Sequence, residues 1–142
     1  MIRPLSAMAA AFILPLALLF APNAHAQGKP LACQFQEAGG LSWKQGQWNV
    51  ARFKLKEPFI LVLKGDNLDP ASVAKPLDDE NPVCEKTSSI SLDIRCHDQY
   101  GGSLFFSPKT NRGAVSQLNG GTSAAANTRD SLSVSPFICQ PY

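Results

Sequence analysis

Histidine is scarce in this 142-residue chain. There are two, and His25 falls in an N-terminal stretch with the features of an export signal. His97 is therefore the sole imidazole of residues 27–142. No two of Cys33, Cys84, Cys96 and Cys139 stand at the C-x2–4-C spacing of a zinc site. Asp66, Asn67 and Asp69 have the right chemistry for calcium, but the EF-hand pattern and its glycine are absent. No metal site and no cofactor are expected.

Charge of one sign is also missing. Thirteen Lys and Arg stand against eleven Asp and Glu, a net +2 that falls to +1 once Arg3 leaves with the signal. Nothing in that balance calls for nucleic acid. There is no Gly-x-Ser-x-Gly elbow. Gly120-Gly121-Thr122-Ser123 lacks the lysine of a phosphate-binding loop. The acids gather in Asp78-Asp79-Glu80, a solvated loop, instead of flanking a sugar as a glycosidase requires.

Long apolar runs are confined to the start. Residues 1–26 read as a signal peptide: Arg3 supplies the positive end, residues 9–20 the apolar run, and Ala24-His25-Ala26 the small-x-small cleavage site. The run is shorter than the roughly 20 residues that span a bilayer. The later run Phe59-Ile60-Leu61-Val62-Leu63 is shorter still, so no transmembrane segment is expected after cleavage. A lipid anchor on Cys33 would need leucine where Pro30 stands. Residues 27–142 then form one exported domain, periplasmic or secreted, large enough for one modest core.

What the chain does have is an even set of four cysteines, all behind the signal. Export makes them two disulfides, with three possible pairings. The nested arrangement is favoured: Cys84–Cys96 closing a short loop, and Cys33–Cys139 tying the first strand to the last.

The clearest two-residue period lies within residues 84–106, where Ile90, Leu92, Ile94 and Cys96 alternate with Ser91, Asp93 and Arg95. It predicts a half-buried strand, a turn at Gly101-Gly102, and a second strand through Phe105 and Phe106. Other strands are expected over 32–37, 47–56, 59–64, 113–118 and 131–139. Residues 27–31 read as a loose leader and Ala38-Gly39-Gly40 as a turn. The apolar run 59–64 reads as the deepest strand, buried on both faces or crossing a barrel corner. The 47–56 strand slips phase between Val50 and Phe53, which a bulge near Ala51 would reconcile. Leu132, Val134 and Ile138 share one face of the last strand, and Pro136 marks an edge or bulge. Asp69-Pro70 opens a short helical turn that Pro76 ends. About seven or eight short strands with regular turns predict an all-β domain, a small antiparallel barrel or sandwich. A meander-like barrel is preferred because it joins the first strand to the last.

Two features are candidates for function. Arg52, Lys54 and Lys56 stand at strand spacing and would form a basic stripe, with Lys44 and Lys64 near in sequence; an edge strand protected by its basic residues is the favoured reading, and a surface for an anionic partner the other. Trp43 and Trp48 flank a turn; Trp48 is assigned to the core and Trp43 to the candidate binding surface. His97, beside Asp98, reads as an exposed turn residue in preference to a catalytic one, and it is the sole base available to a hydrolase.

Cys33-x-Phe35, Gly46-x-Trp48, Pro58-Phe59, Cys84, Cys96, Gly101-x-x-Leu104-Phe105 and Pro136-Phe137-x-Cys139 resemble small exported proteins of Gram-negative bacteria that carry no assigned function. In size, signal and cysteine content the chain is also similar to the periplasmic inhibitors of host lysozyme. That resemblance implies a small β-barrel. Their active loop has a serine-glycine stretch ending near a tyrosine; residues 120–127 have the small residues and no tyrosine. The expectation is a binding or inhibitor-type module for a protein or glycan of the envelope or extracellular space. A small hydrolase using His97 is the alternative, and a structural protein self-associating through the 131–139 edge is a third.

Overall fold

The computed structural model describes residues 28–88, 92–118 and 131–142. The expected export signal, Ile90 and Ser91, and the small-residue stretch 120–127 lie outside the described residues. The strands are β1 (Lys29–Phe35), β2 (Gly39–Lys44), β3 (Gln47–Arg52), β4 (Phe59–Lys64), β5 (Asn67–Leu68), β6 (Val83–Lys86), β7 (Ile94–His97), β8 (Gly102–Ser107), β9 (Arg112–Gln117) and β10 (Ser131–Pro141), and the helix is α1 (Pro70–Leu77). Eight strands pair in the order β5-β4-β1-β10-β9-β8-β7-β6, while β2 and β3 branch off β10. Every pairing is antiparallel. β6 to β10 form a meander and β1 returns beside β10, so the first strand does join the last in a nearly closed, barrel-like sheet.

The ends of that path, β5 and β6, meet through side chains. Asn67 Nδ2 donates to the Cys84 carbonyl at 3.0 Å, and Lys86 pairs with Asp66 at 2.7 Å. Lys86 holds the Asp66 carboxyl below its ordinary value, through a hydrogen bond and its charge. A depressed value favours the folded state above the ordinary carboxylate range, near pH 4, and that preference fades as pH falls through the folded value.

Alternation fills the interior. Leu31, Cys33 and Phe35 point inward from β1, Phe59 and Leu61 from β4, Ile94 and Cys96 from β7, Leu104 and Phe106 from β8, and Phe137 and Cys139 from β10. Phe35, Phe59 and Phe137 meet with ring centroids 4.9–6.0 Å apart, and Phe106 stacks on Phe137 at 6.3 Å. Edge and offset contacts of this kind add about 0.5–1.5 kcal/mol per pair beyond burial. Pro70 starts α1, which buries Val73, Pro76 and Leu77. Asp69 gives no side-chain cap and pairs instead with Lys64 at 2.9 Å. The helix runs one residue past Pro76, and Asp78 ends it in the left-handed region at φ 57°.

Both disulfides have the nested pairing. Cys33–Cys139 bridges directly opposed residues of β1 and β10, and Cys84–Cys96 does so between β6 and β7. Each Cα–Cα distance is 4.0 Å, near the roughly 4.5 Å of close, non-hydrogen-bonded antiparallel pairs. Cys139 N–H accordingly points away from β1, to the Asn111 carbonyl at 2.8 Å.

Several local expectations change. Lys29 and Pro30 are in β1, not a loose leader. β4 is buried on one side only, with Ile60 exposed. β7 starts at Ile94, and Leu92 is exposed outside it. β3 stops at Arg52 with unbroken register to β2, so there is no bulge at Ala51. Gly39 and Gly40 lie inside β2. The bulge is elsewhere. Between Phe35↔Phe137 and Gly39↔Val134, residues 36–38 face only Ser135 and Pro136. The Pro136 carbonyl accepts from Gln36 N–H at 2.9 Å. Proline, with no N–H to place, suits this interruption of the ladder.

Candidate binding face on the β2–β3 hairpin

One extra residue in a strand reverses the faces of everything beyond it. In β1 the odd-numbered residues point into the barrel. Past the bulge, the odd-numbered residues of β2 share a face with the even-numbered residues of β10, which is the outside. The register then lines up Val50, Leu41 and Leu132 in one row across three strands, and Arg52, Gly39 and Val134 in the next. Trp43 and Trp48 are directly opposed at the far end of the same face. Val50 is 89% exposed, Val134 48% and Trp48 38%.

The hairpin is set by its turn. Gln45 and Gly46 have φ of 51° and 79°, so both central residues of the two-residue loop are left-handed. A type I′ turn requires this, and it matches the strand twist. The two indoles meet edge to face, centroids 5.3 Å apart at 70°. Asn49 Nδ2 donates to the Gln47 carbonyl at 3.1 Å and the Lys44 carbonyl at 3.4 Å, bracing the end of the hairpin. Gly40 lets β2 approach β10: a Cβ there would collide with the Leu132 carbonyl. β3 pairs with β2 alone, so its other edge is free of ladder bonds among the described residues. Lys44 and Arg52 bound the face, with no ion pair for either among the described residues.

The expected binding residues are therefore divided. Trp43, Lys44 and Arg52 belong to the hairpin. Lys54 and Lys56 lie beyond β3 in irregular chain at the barrel mouth, so the three basic residues form no strand stripe. Lys56 pairs with Asp78 at 2.6 Å. Trp48, expected in the core, is an exposed partner of Trp43. Leu41, Val50, Leu132 and Val134 had no assigned role in the surface: Leu132 and Val134 already face outward on β10, and the bulge that brings Leu41 and Val50 to the same face cannot be read from one strand at a time.

The remaining candidates do not assemble. His97 is half-buried on β7, not in an exposed turn, opposite Val83 and Ser103, and its buried Nδ1 has no hydrogen-bond partner among the described residues. Asp98 Oδ1 instead accepts the N–H groups of Tyr100 and Gly102, both at 2.7 Å, and shapes the β7–β8 turn. Asp66, Asn67 and Asp69 are each engaged separately, and no group of metal-ligating side chains occurs among the described residues. The 131–139 strand is no edge, since β10 is paired on both sides. None of the described helices is long and apolar enough to cross a membrane. Comparison with protein-family models, curated proteins and solved structures finds no match.

Proposed function

We propose that this is an exported binding module, periplasmic or secreted, that holds a protein of the envelope or extracellular space against the outer face of β2, β3 and the first half of β10. The observation that carries the reading is the apolar cluster Trp43, Trp48, Leu41, Val50, Leu132 and Val134 on the solvent side of a hairpin that hangs from the barrel. Aromatic residues in such a cluster are common binding anchors, and Lys44 and Arg52 supply a polar rim. A protein partner fits better than a glycan. Edge-to-face indoles make a compact knob, whereas sugar stacking needs one open ring face. Two disulfides suit an oxidising compartment.

The test compares the wild-type protein with Val50→Asp as immobilised bait in envelope extract. Val50 is exposed, so the variant should keep its thermal midpoint. A partner held by the wild type should be a protein, and Val50→Asp should weaken its binding by about thirtyfold or more, the effect of a hot spot. Equal retention by both baits, or retention of purified glycan alone, would overturn the proposal.

A further inference from the structure

A second site lies at the mouth of the barrel, where β1 ends, β4 begins and α1 finishes. A cavity of about 390 Å³ opens there over Phe35, Phe59 and Pro76, with Leu55 at its rim. Leu55 is 45% exposed, although it stands over an aromatic floor. Below that floor the interior is filled: Phe35 and Phe59 are 4.9 Å apart, and both touch Phe137. The mouth is thus a shallow basin with room for a ring and a short tail, not for a long acyl chain threaded into the barrel.

Its rim carries three ammonium groups and two carboxylates. Lys56 pairs with Asp78 at 2.6 Å, and Lys75 pairs with Glu57 at 3.5 Å. Lys54 has no ion pair among the described residues and lines the same cavity. One positive charge is left over an apolar floor. The Lys56 and Lys75 ammonium groups are also anchored by the Pro76 and Pro58 carbonyls, at 3.4 and 3.2 Å. They are held at the rim, and the floor itself is largely covered, with Phe35 3% and Phe59 4% exposed.

We propose that this mouth binds a small organic monoanion: a carboxylate on a compact aromatic body. The ring would pack against Leu55 above the edges of Phe35 and Phe59, and the carboxylate would meet Lys54. A dianion such as phosphate fits less well, because Glu57 and Asp78 stay at the rim and the floor offers no donors. The site is separate from the hairpin face and takes a different class of ligand.

The probe is 3-phenylpropionate, titrated into the disulfide-bonded protein and followed by amide chemical shifts, with its neutral amide as comparator. Saturable shifts are expected at residues 54–57 and 75–78. The neutral amide should bind about fivefold more weakly, and Lys54→Gln should weaken the acid by about the same factor, the scale of one exposed charge pair. Leu55→Asp should abolish the shifts, while Val50→Asp should leave them unchanged. Both Lys54 and Leu55 are exposed, so folding should survive, and an unchanged thermal midpoint checks this. The absence of saturable shifts, equal affinity for acid and amide, or an unaltered Lys54→Gln titration would each overturn the proposal.

Discussion

Phe137 touches three other rings, Phe35, Phe59 and Phe106, and is almost fully buried. Phe137→Ala should lower unfolding free energy by about 3–5 kcal/mol in a denaturant titration, through lost transfer energy plus the cavity left behind. A loss under about 1 kcal/mol would mean that the ring cluster does not organise the core. The same residue shows where the sequence misleads. In the last strand the visible apolar face is Leu132, Val134 and Ile138, and its opposite face begins with Ser131, Ser133 and Ser135. Counting apolar residues selects the first face as core. The structure buries the second, through Phe137 and Cys139, and leaves Val134 and Ile138 exposed. The alternation was legible, but its direction was not. Half of this strand serves the barrel and half the hairpin, and only the barrel half buries its inner face in the core.

The same division governs the elements. Cys33 with Phe35 in β1, the turn between Trp43 and Trp48, the start of α1 and the pairing of first strand with last were all readable, because each rests on a local signal or a covalent constraint. Neither β2 itself nor the bulge at residues 36–38 was. Ala38-Gly39-Gly40 looks like a turn because glycines usually mark one. Here Gly40 has a steric role, allowing β2 to lie close against the β10 backbone. Gly40→Ala should therefore force the two strands apart, at about 1–3 kcal/mol, the usual scale of overpacking. The damage should be local. Amide exchange should speed up in β2 and β3 and stay slow in β1 and β4, and partner binding at the hairpin should weaken. Uniform loss of protection across all four strands would show that the hairpin is not an independent unit on the barrel.

On the scale of the whole molecule, closure depends on two staples with different tasks. Cys33–Cys139 joins residues 106 apart in sequence, inside a pair of strands that are already well flanked. Its removal should act on the unfolded chain and cost about 4.7 kcal/mol on the loop-entropy model. Cys84–Cys96 spans only 12 residues and is worth about 3 kcal/mol on that model. It nevertheless holds β6, the last strand of the path, whose seam with β5 rests on Asn67 and the Asp66–Lys86 pair. The smaller staple should thus control local opening. In Cys84→Ala/Cys96→Ala, exchange should rise first at β6 and β5, with β1 and β10 still protected. In Cys33→Ala/Cys139→Ala, protection should fall together across the barrel, because no single seam is released. The experiment is native-state exchange on both double variants at matched denaturant. If the two give the same pattern, differing only in total stability, then the β5–β6 seam is not the weak line of the barrel and its closure is shared around the whole sheet.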